Sequence, residues 1–155
     1  APILATAYDA VAQQAAMVEC HYESSWNGPL AEALLTSRDL DVRRGVTTVG
    51  PHRDEIHVTL AGAPARTHAS QGEQRSLALA LRLAADGVIR TVGVAEPVLL
   101  LDDVFSELDP NRAGALLEAL PEGQRILTTA AGLPSAARPD QVIRVHDSVL
   151  TLESS

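Results

Sequence analysis

A short run of apolar residues, 97–101 (PVLLL), is followed at once by two acids, Asp102 and Asp103. Such a run is typical of a strand buried on both faces, as in the centre of a parallel sheet. Ligands of α/β proteins bind at the carboxyl ends of these strands, and paired carboxylates there suit a hard cation such as Mg²⁺. Because neighbouring side chains diverge, we expect Asp102 to hold the metal or its water and Asp103 to orient or deprotonate an attacking water. A strand that merely ends in solvated acids would show the same pattern.

Helical and extended segments alternate along the rest of the chain. Apolar residues recur at helical spacing in segments 5–20, 29–38, 75–90 and 111–120. Extended patterns occur in a hairpin at 56–67 and in strands at 98–101, 125–129, 141–145 and 149–152. This order predicts an α/β fold with a mostly parallel sheet flanked by helices. The charged segment 39–45 marks a change of pattern, and we place a domain boundary there, between residues 1–40 and 41–155.

The composition limits the classes of function. The 155 residues carry a formal net charge of −8, so this chain alone is poorly suited to grip a polyanion. The one cysteine, Cys20, cannot form an internal disulfide, and no apolar run approaches the ~18 residues of a membrane span. Residues 1–16 lack the basic region that opens a signal peptide. We therefore expect a cytoplasmic protein without a membrane partner.

A second polar group precedes the helix predicted at 75–90. Its members are Ser70, Gln71, Gly72, Glu73 and Gln74. A serine hydroxyl and free backbone N–H groups at the positive end of a helix can cradle a phosphate, and Gly72 would permit close approach of the backbone. The same residues fit a capping box, with Ser70 as the N-cap and Glu73 three residues later. The two interpretations are compatible.

A third group follows the acid pair, at residues 106–110 (SELDP). Asp109 before Pro110 is a typical helix start, because Asp caps free N–H groups and Pro suits the first helical position. The serine motif, the acid pair about thirty residues later and this loop occur in a fixed order. That order resembles the signature motif, Walker B motif and D-loop of ABC-type ATPases.

Within that superfamily the wording resembles the RecF family of recombination mediators. The segments that carry the resemblance are 50–54 (GPHRD), 69–81 (ASQGEQRSLALAL) and 98–109 (VLLLDDVFSELD). Residues 22–26 (YESSW) also resemble a RecF segment, from a helical lobe that is inserted into the ATPase head. The resemblance covers residues 22–130. It implies that the chain is the C-terminal half of an ABC-type ATPase head, with a short helical remnant of the inserted lobe at its N-terminus.

The resemblance further implies a weak ATPase whose two heads, related to those of SMC proteins, sandwich two ATP molecules and form a DNA clamp. Asp102 would assist Mg²⁺ binding, and Asp103 stands where many relatives carry a catalytic glutamate. Ser106 and Asp109 would belong to the D-loop that crosses the dimer interface. Residues 70–74 would contact the γ-phosphate of the nucleotide held by the partner subunit.

The same resemblance implies a role in DNA replication, recombinational repair and the SOS response. The expected partners are gapped or junction DNA, a second copy in an ATP-dependent homodimer, and mediator proteins of the RecO and RecR type. Many ABC-type ATPases have a switch histidine after the strand at 125–129, but here we assign γ-phosphate sensing to Thr128 or Thr129. No Gly-x-x-x-x-Gly-Lys-Ser/Thr motif occurs, so we expect this chain alone neither to bind ATP tightly nor to hydrolyse it.

Two functions of other classes stay open at this point. Asp102, Asp103, Glu107 and Asp109 could serve a self-contained two-metal hydrolase that depends on Mg²⁺, although residues 70–74 would then go unexplained. Alternatively, the chain is an interaction module that kept the ATPase fold without its chemistry. The intact Asp102, Asp103 and Ser70 argue against that interpretation.

Overall fold

The computed structural model describes residues 2–93, 96–106 and 108–153. In chain order, its helices and strands are α1 (Pro2–Ala12), β1 (Val18–Glu23), α2 (Leu30–Arg44), β2 (Glu55–Leu60), β3 (Ala63–Pro64), α3 (Ala65–His68), α4 (Gln71–Val92), β4 (Leu99–Asp102), α5 (Pro110–Ala119), β5 (Arg125–Thr128), β6 (Val142–His146) and β7 (Val149–Glu153). The predicted α/β architecture is confirmed. Among the described residues, none of the helices combines the length and the apolar character needed to cross a bilayer.

The strands form three small sheets. β1, β2 and β3 are antiparallel, β6 and β7 form an antiparallel hairpin, and β4 pairs with β5 in parallel. Within the described part of the chain, parallel pairing is therefore confined to β4 and β5. A strand is central only when both of its edges are paired, and β4 has β5 as its one described neighbour.

Helix α1 connects the two hydrophobic clusters of the fold. Its residues Leu4 and Tyr8 belong to a cluster that includes Leu77 of α4. One turn later, Val11 is completely buried in the second cluster, which contains Leu101 of β4 and Leu116 of α5. Because burial of apolar surface is the main stabilising term in folding, α1 is part of the same core as α4, β4 and α5.

The structure corrects the helix predicted for residues 5–20. Helix α1 ends at Ala12, and residues 18–23 form β1, which pairs with β2 from Val18↔Leu60 to Glu23↔Glu55. Strand pairing between distant segments overrides local helix propensity, because strand preference depends on cross-strand and burial contacts. The pairing also joins residues on either side of the boundary predicted at residue 40.

Helix α2 is longer and less buried than predicted. It runs to Arg44 and ends at Gly45, whose φ of 67° is the left-handed conformation that glycine adopts most readily at a helix end. None of its residues is buried: Leu30 and Ala33 are half-buried and Leu34 is exposed. The second half of the predicted hairpin is also different, because β3 ends at Pro64 and residues 65–68 form α3.

A substitution at Val11 tests whether α1 belongs to the core. Val11→Ala should lower the free energy of unfolding by about 2 kcal/mol, because it leaves a cavity at a fully buried position. The matched control is Val42→Ala on α2, where the side chain is 74% exposed. Urea unfolding measures both. Equal effects of the two substitutions would show that α1 is not packed on the core.

Candidate functional site

The carboxyl ends of β4 and β5 bring two of the predicted residues into direct contact. Asp102 and Thr128 are register partners in the parallel pair. The Thr128 hydroxyl donates a hydrogen bond to Asp102 Oδ1. The backbone N–H of Asp103 donates to the Thr128 carbonyl at 3.0 Å and lies 3.2 Å from its hydroxyl oxygen. Both predicted acids and one predicted threonine therefore form a single polar group.

Of the two candidate switch residues, only Thr128 lies beside the acids in this way. The hydroxyl of Thr129 is used in a local turn, where it accepts from Ala131 N and donates to the carbonyl of Gly132, at 3.3 Å in each case. Strand β5 ends at Thr128, and Thr129 lies in the turn that follows it, so the two hydroxyls have different environments.

Asp103 has an unusual backbone conformation. Its φ of 48° lies in the left-handed region, which Asp tolerates better than most non-glycine residues. This conformation turns the chain sharply after β4, and the turn is closed by Ser106, whose hydroxyl donates to the Asp103 carbonyl at 2.9 Å. Asp103 and Ser106 line an open pocket of about 210 Å³ together with Arg75 of α4. Asp102 faces Thr128 and Asp103 faces this pocket, so the two acids have different surroundings.

The predicted capping box at the start of α4 is confirmed. The backbone N–H and the hydroxyl of Ser70 each donate to Glu73 Oε2 at 2.7 Å, and Glu73 N–H donates back to the Ser70 hydroxyl at 3.3 Å. The Ser70 hydroxyl, more than any other group, holds the pKa of Glu73 below its ordinary value. The side-chain Nε2 of Gln74 donates a hydrogen bond to the Ala69 carbonyl at 3.0 Å, whereas the side chain of Gln71 is exposed.

The predicted helix start at Asp109 is also confirmed. Asp109 Oδ1 accepts from the backbone N–H groups of Asn111 and Arg112 at 3.0 Å each, and Pro110 occupies the first position of α5. The last residue of the predicted D-loop therefore fixes the direction in which α5 leaves the site.

Arg112 is a residue that sequence reasoning did not select. Its Nε lies 3.6 Å from Asp109 Oδ2, and its guanidinium covers Gly72 at the start of α4. A methyl group added to Gly72 would lie 2.7 Å from Arg112 Nη1. The contact joins two motifs that are distant in sequence. The one sequence signal is the position of Arg112 three residues after the capping Asp109, which favours an ion pair but does not predict a contact with Gly72.

The donor set at the end of β4 fits Mg²⁺ in part. Asp102 offers carboxylate oxygens at an exposed position, which are hard ligands of the kind Mg²⁺ prefers. In the described parts of the chain, His, Cys, Asp and Glu side chains form no group of three that could hold a metal ion. Glu107, which the hydrolase alternative requires, lies outside the described residues. A magnesium ion with Asp102 as one ligand therefore needs further ligands, and phosphate oxygens with water are the usual ones.

Comparison with known proteins gives consistent matches. No family model matches the chain. The DNA replication and repair protein RecF of Frankia alni (strain DSM 45986 / CECT 9034 / ACN14a) is 43% identical over 145 residues, which cover 84% of this chain and 38% of that protein. Two solved structures are similar, described as the recombination mediator protein RecF-ATPrS and RecF-ATP in the RecFOR pathway. Their TM-scores are 0.68 and 0.66, and their identities are 27% and 25%; each match covers 99% of this chain and 43% of the other. The chain thus spans about two fifths of the length of these relatives.

The capping box makes a prediction about pH. Ser70→Ala should lower the free energy of unfolding by about 1 kcal/mol near neutral pH, because it removes the N-cap of α4. The folded state holds the pKa of Glu73 below its unfolded value, so the stabilisation is present above about pH 4.3 and is lost as pH falls through the lowered pKa. Urea unfolding of both proteins over this range measures the difference, with the exposed Ser135→Ala as the control. A difference between parent and Ser70→Ala that grows as pH falls would contradict the capping box.

Proposed function

The chain belongs to the RecF family, and from that premise we propose that it supplies the signature side of a composite ATP site in an ATP-dependent DNA clamp. The observation that carries this proposal is the contact of Arg112 with Gly72. Through it the signature motif at the start of α4 and the D-loop before α5 lie side by side. A nucleotide presented by a second subunit could then meet both motifs on one surface.

The residues that bind the β- and γ-phosphates in such a site must lie outside this chain. The sequence contains no lysine, so it has no residue for the lysine position of a Walker A motif. A cradle of backbone N–H groups with a lysine holds the β- and γ-phosphates in P-loop enzymes. We therefore assign ATP binding to the whole protein, in which this chain contributes the motifs at residues 70–74 and 102–109.

Asp102 and Asp103 have separate roles in the proposed site. Mg²⁺, when bound, neutralises charge that develops on the phosphate oxygens. Asp102 would hold this ion or its water, and the Thr128 hydroxyl keeps the carboxylate in place through its hydrogen bond. Asp103 lines the pocket beside Arg75, where it would orient or deprotonate the attacking water. Thr128 is the preferred γ-phosphate sensor, because it is hydrogen-bonded to Asp102 and Thr129 is not among the bonded partners of either acid.

The inserted lobe is proposed to join the head at the ends of β1 and β2. Tyr22 donates a hydrogen bond to Asp54, and the backbone N–H of Ser25 donates to the same carboxylate at 2.8 Å. Ser25 also bonds the backbone of Gly50 at 3.3 Å. These bonds tie segments 22–26 and 50–54 together at the base of α2. We therefore restrict the lobe remnant to the exposed α2 and its connections, and assign α1 and β1 to the head.

The whole protein is proposed to act in replication and recombinational repair as an ATP-controlled homodimer on DNA, located in the cytoplasm. The relatives are named as a replication and repair protein and as a mediator in the RecFOR pathway, which supports partners of the RecO and RecR type. The net charge of −8 on this chain indicates that the basic surface for gapped or junction DNA lies largely elsewhere. A self-contained hydrolase is not favoured, because it leaves the likeness to RecF and the motif at residues 70–74 unexplained.

Replacement of Asp103 tests its assigned role in the whole protein. Asp103→Asn should leave ATP binding nearly unchanged and lower the hydrolysis rate by about 100-fold or more, because an amide cannot take the proton of the attacking water. The ATP-bound dimer should then accumulate. The matched control is Asp140→Asn in an exposed loop. Hydrolysis by Asp103→Asn at the parental rate, measured as released phosphate, would exclude the role.

A mixing experiment tests the composite site. Ser70→Arg should bind ATP as a monomer but fail to dimerise with it, because a bulky side chain at the start of α4 would displace the partner's γ-phosphate. A substitution of the Walker A lysine should fail for another reason, since it loses the nucleotide itself. A mixture of the two proteins contains heterodimers with one intact composite site, so ATPase activity and ATP-driven dimerisation should partly return.

Light scattering and phosphate release are measured for each protein alone and for the mixture, with Ser135→Arg as the control for an added arginine. Loss of ATP binding by the Ser70→Arg monomer would show that Ser70 acts within its own subunit. Normal ATP-driven dimerisation of Ser70→Arg would show that Ser70 is not at the interface.

A further inference from the structure

We propose that Arg112 is a positioning residue of the composite site. Its guanidinium occupies the space beside Gly72 and thereby holds the signature motif and the D-loop in one fixed arrangement. The inference rests on the proposed function, because the two motifs matter together only if a nucleotide meets both. By this inference, the absence of a side chain at Gly72 makes room for the Arg112 guanidinium and does not serve close approach of a phosphate.

The first support is the presence of a glycine inside the first turn of α4. Glycine at a helical position costs about 1 kcal/mol relative to alanine, so it needs a local reason. A left-handed backbone is not that reason, because Gly72 is absent from the described glycines with positive φ. The contacts indicate that the reason is limited space. Arg112 Nη1, Nη2 and Cζ lie 2.7, 3.4 and 3.5 Å from the position that a Cβ of residue 72 would occupy. A methyl group at residue 72 would displace the guanidinium.

The second support is an ion pair at the Nε of the same guanidinium. Asp109 caps α5 with one carboxylate oxygen and holds Arg112 Nε at 3.6 Å with the other. The side chain is only 32% exposed, so it is packed along much of its length. A guanidinium is planar and presents its donors in a rigid fork, which suits a bridge between two helix ends. An isolated pair three residues apart on a helix would stabilise α5 alone and would contribute little.

The third support is the balance of charge at the start of α4. Glu73 places a carboxylate at the helix end that a phosphate would approach. Arg112 adds to the effect of the Ser70 hydrogen bonds in lowering the pKa of Glu73. The pKa of the buried Tyr8 is raised mainly by burial and further by Glu73, and Arg112 opposes that increase. Arg112 therefore offsets the charge of Glu73 at this point, so its loss would disturb both the geometry and the charge of the surface.

A double-mutant cycle in the whole protein separates the two possible roles of Gly72. Arg112→Ala should raise about tenfold the protein concentration at which ATP-driven dimerisation is half-maximal. The protein concentration at which ATPase activity is half-maximal should rise by the same factor, as expected for the loss of one well-placed charged contact. Gly72→Ala should cause a similar defect, because its methyl group displaces the guanidinium. The double variant should be no worse than Arg112→Ala, since the methyl group then displaces nothing.

Three further measurements separate positioning from general damage. ATP affinity of the monomer, kcat at saturating protein concentration and the thermal unfolding midpoint should stay close to parental values in Arg112→Ala. Arg112→Lys keeps the charge but lacks the planar fork, so it should retain the defect. The matched control is Arg82→Ala at an exposed position of α4, which should behave like the parent.

Three results would overturn the inference. They are additive effects of Gly72→Ala and Arg112→Ala, full rescue by Arg112→Lys, and parental dimerisation of Arg112→Ala. Failure of the proposed function gives a different result, because the parental protein would then show no ATP-driven dimerisation at all. If the parent dimerises and Ser70→Arg does not, a normal Arg112→Ala protein would refute the positioning role alone.

Discussion

The parallel pairing of β4 with β5 is the constraint on which the candidate site depends. It fixes the register Asp102↔Thr128, and this register allows the threonine hydroxyl to hold the carboxylate. The same face of β4 that carries Leu101 is buried against α1 and α5, so the strand cannot slip without exposing that side chain. A shift by one residue would move Asp102 away from Thr128 and destroy the polar group.

The start of α4 combines a structural and a proposed functional use of the same atoms. The Ser70 hydroxyl completes the capping box by bonding Glu73, and it is also the group proposed to meet a phosphate. A phosphate at this helix end would compete with the Glu73 carboxylate for the hydroxyl and would be repelled by its charge. Arg112 is placed where it reduces that repulsion, so the capping box and the proposed site are compatible.

The opposite face of the β4–β5 pair carries exposed apolar side chains beside the Asp102–Thr128 pair. Leu100 and Ile126, which are register partners, are 69% and 49% exposed. The β6–β7 hairpin shows the same feature, with Val145 and Leu150 both 70% exposed. Parallel sheets in α/β proteins are normally covered on both faces. The RecF relatives are longer than the part they share with this chain.

The sequence by itself determined the features whose causes lie within a few residues. The Ser70–Glu73 capping box, the Asp109 cap and the acids at the end of β4 were all predicted, because each depends on neighbours within one helical turn or one strand. The order of those motifs indicated the ABC-type superfamily, and the wording of segments 50–54, 69–81 and 98–109 indicated the family. The tertiary structure alone decided that residues 18–23 form a strand, that Thr128 and not Thr129 bonds Asp102, and that Arg112 covers Gly72. Each of these depends on contacts between segments that are far apart in the chain, and such contacts are set by packing and strand pairing, which no local pattern encodes.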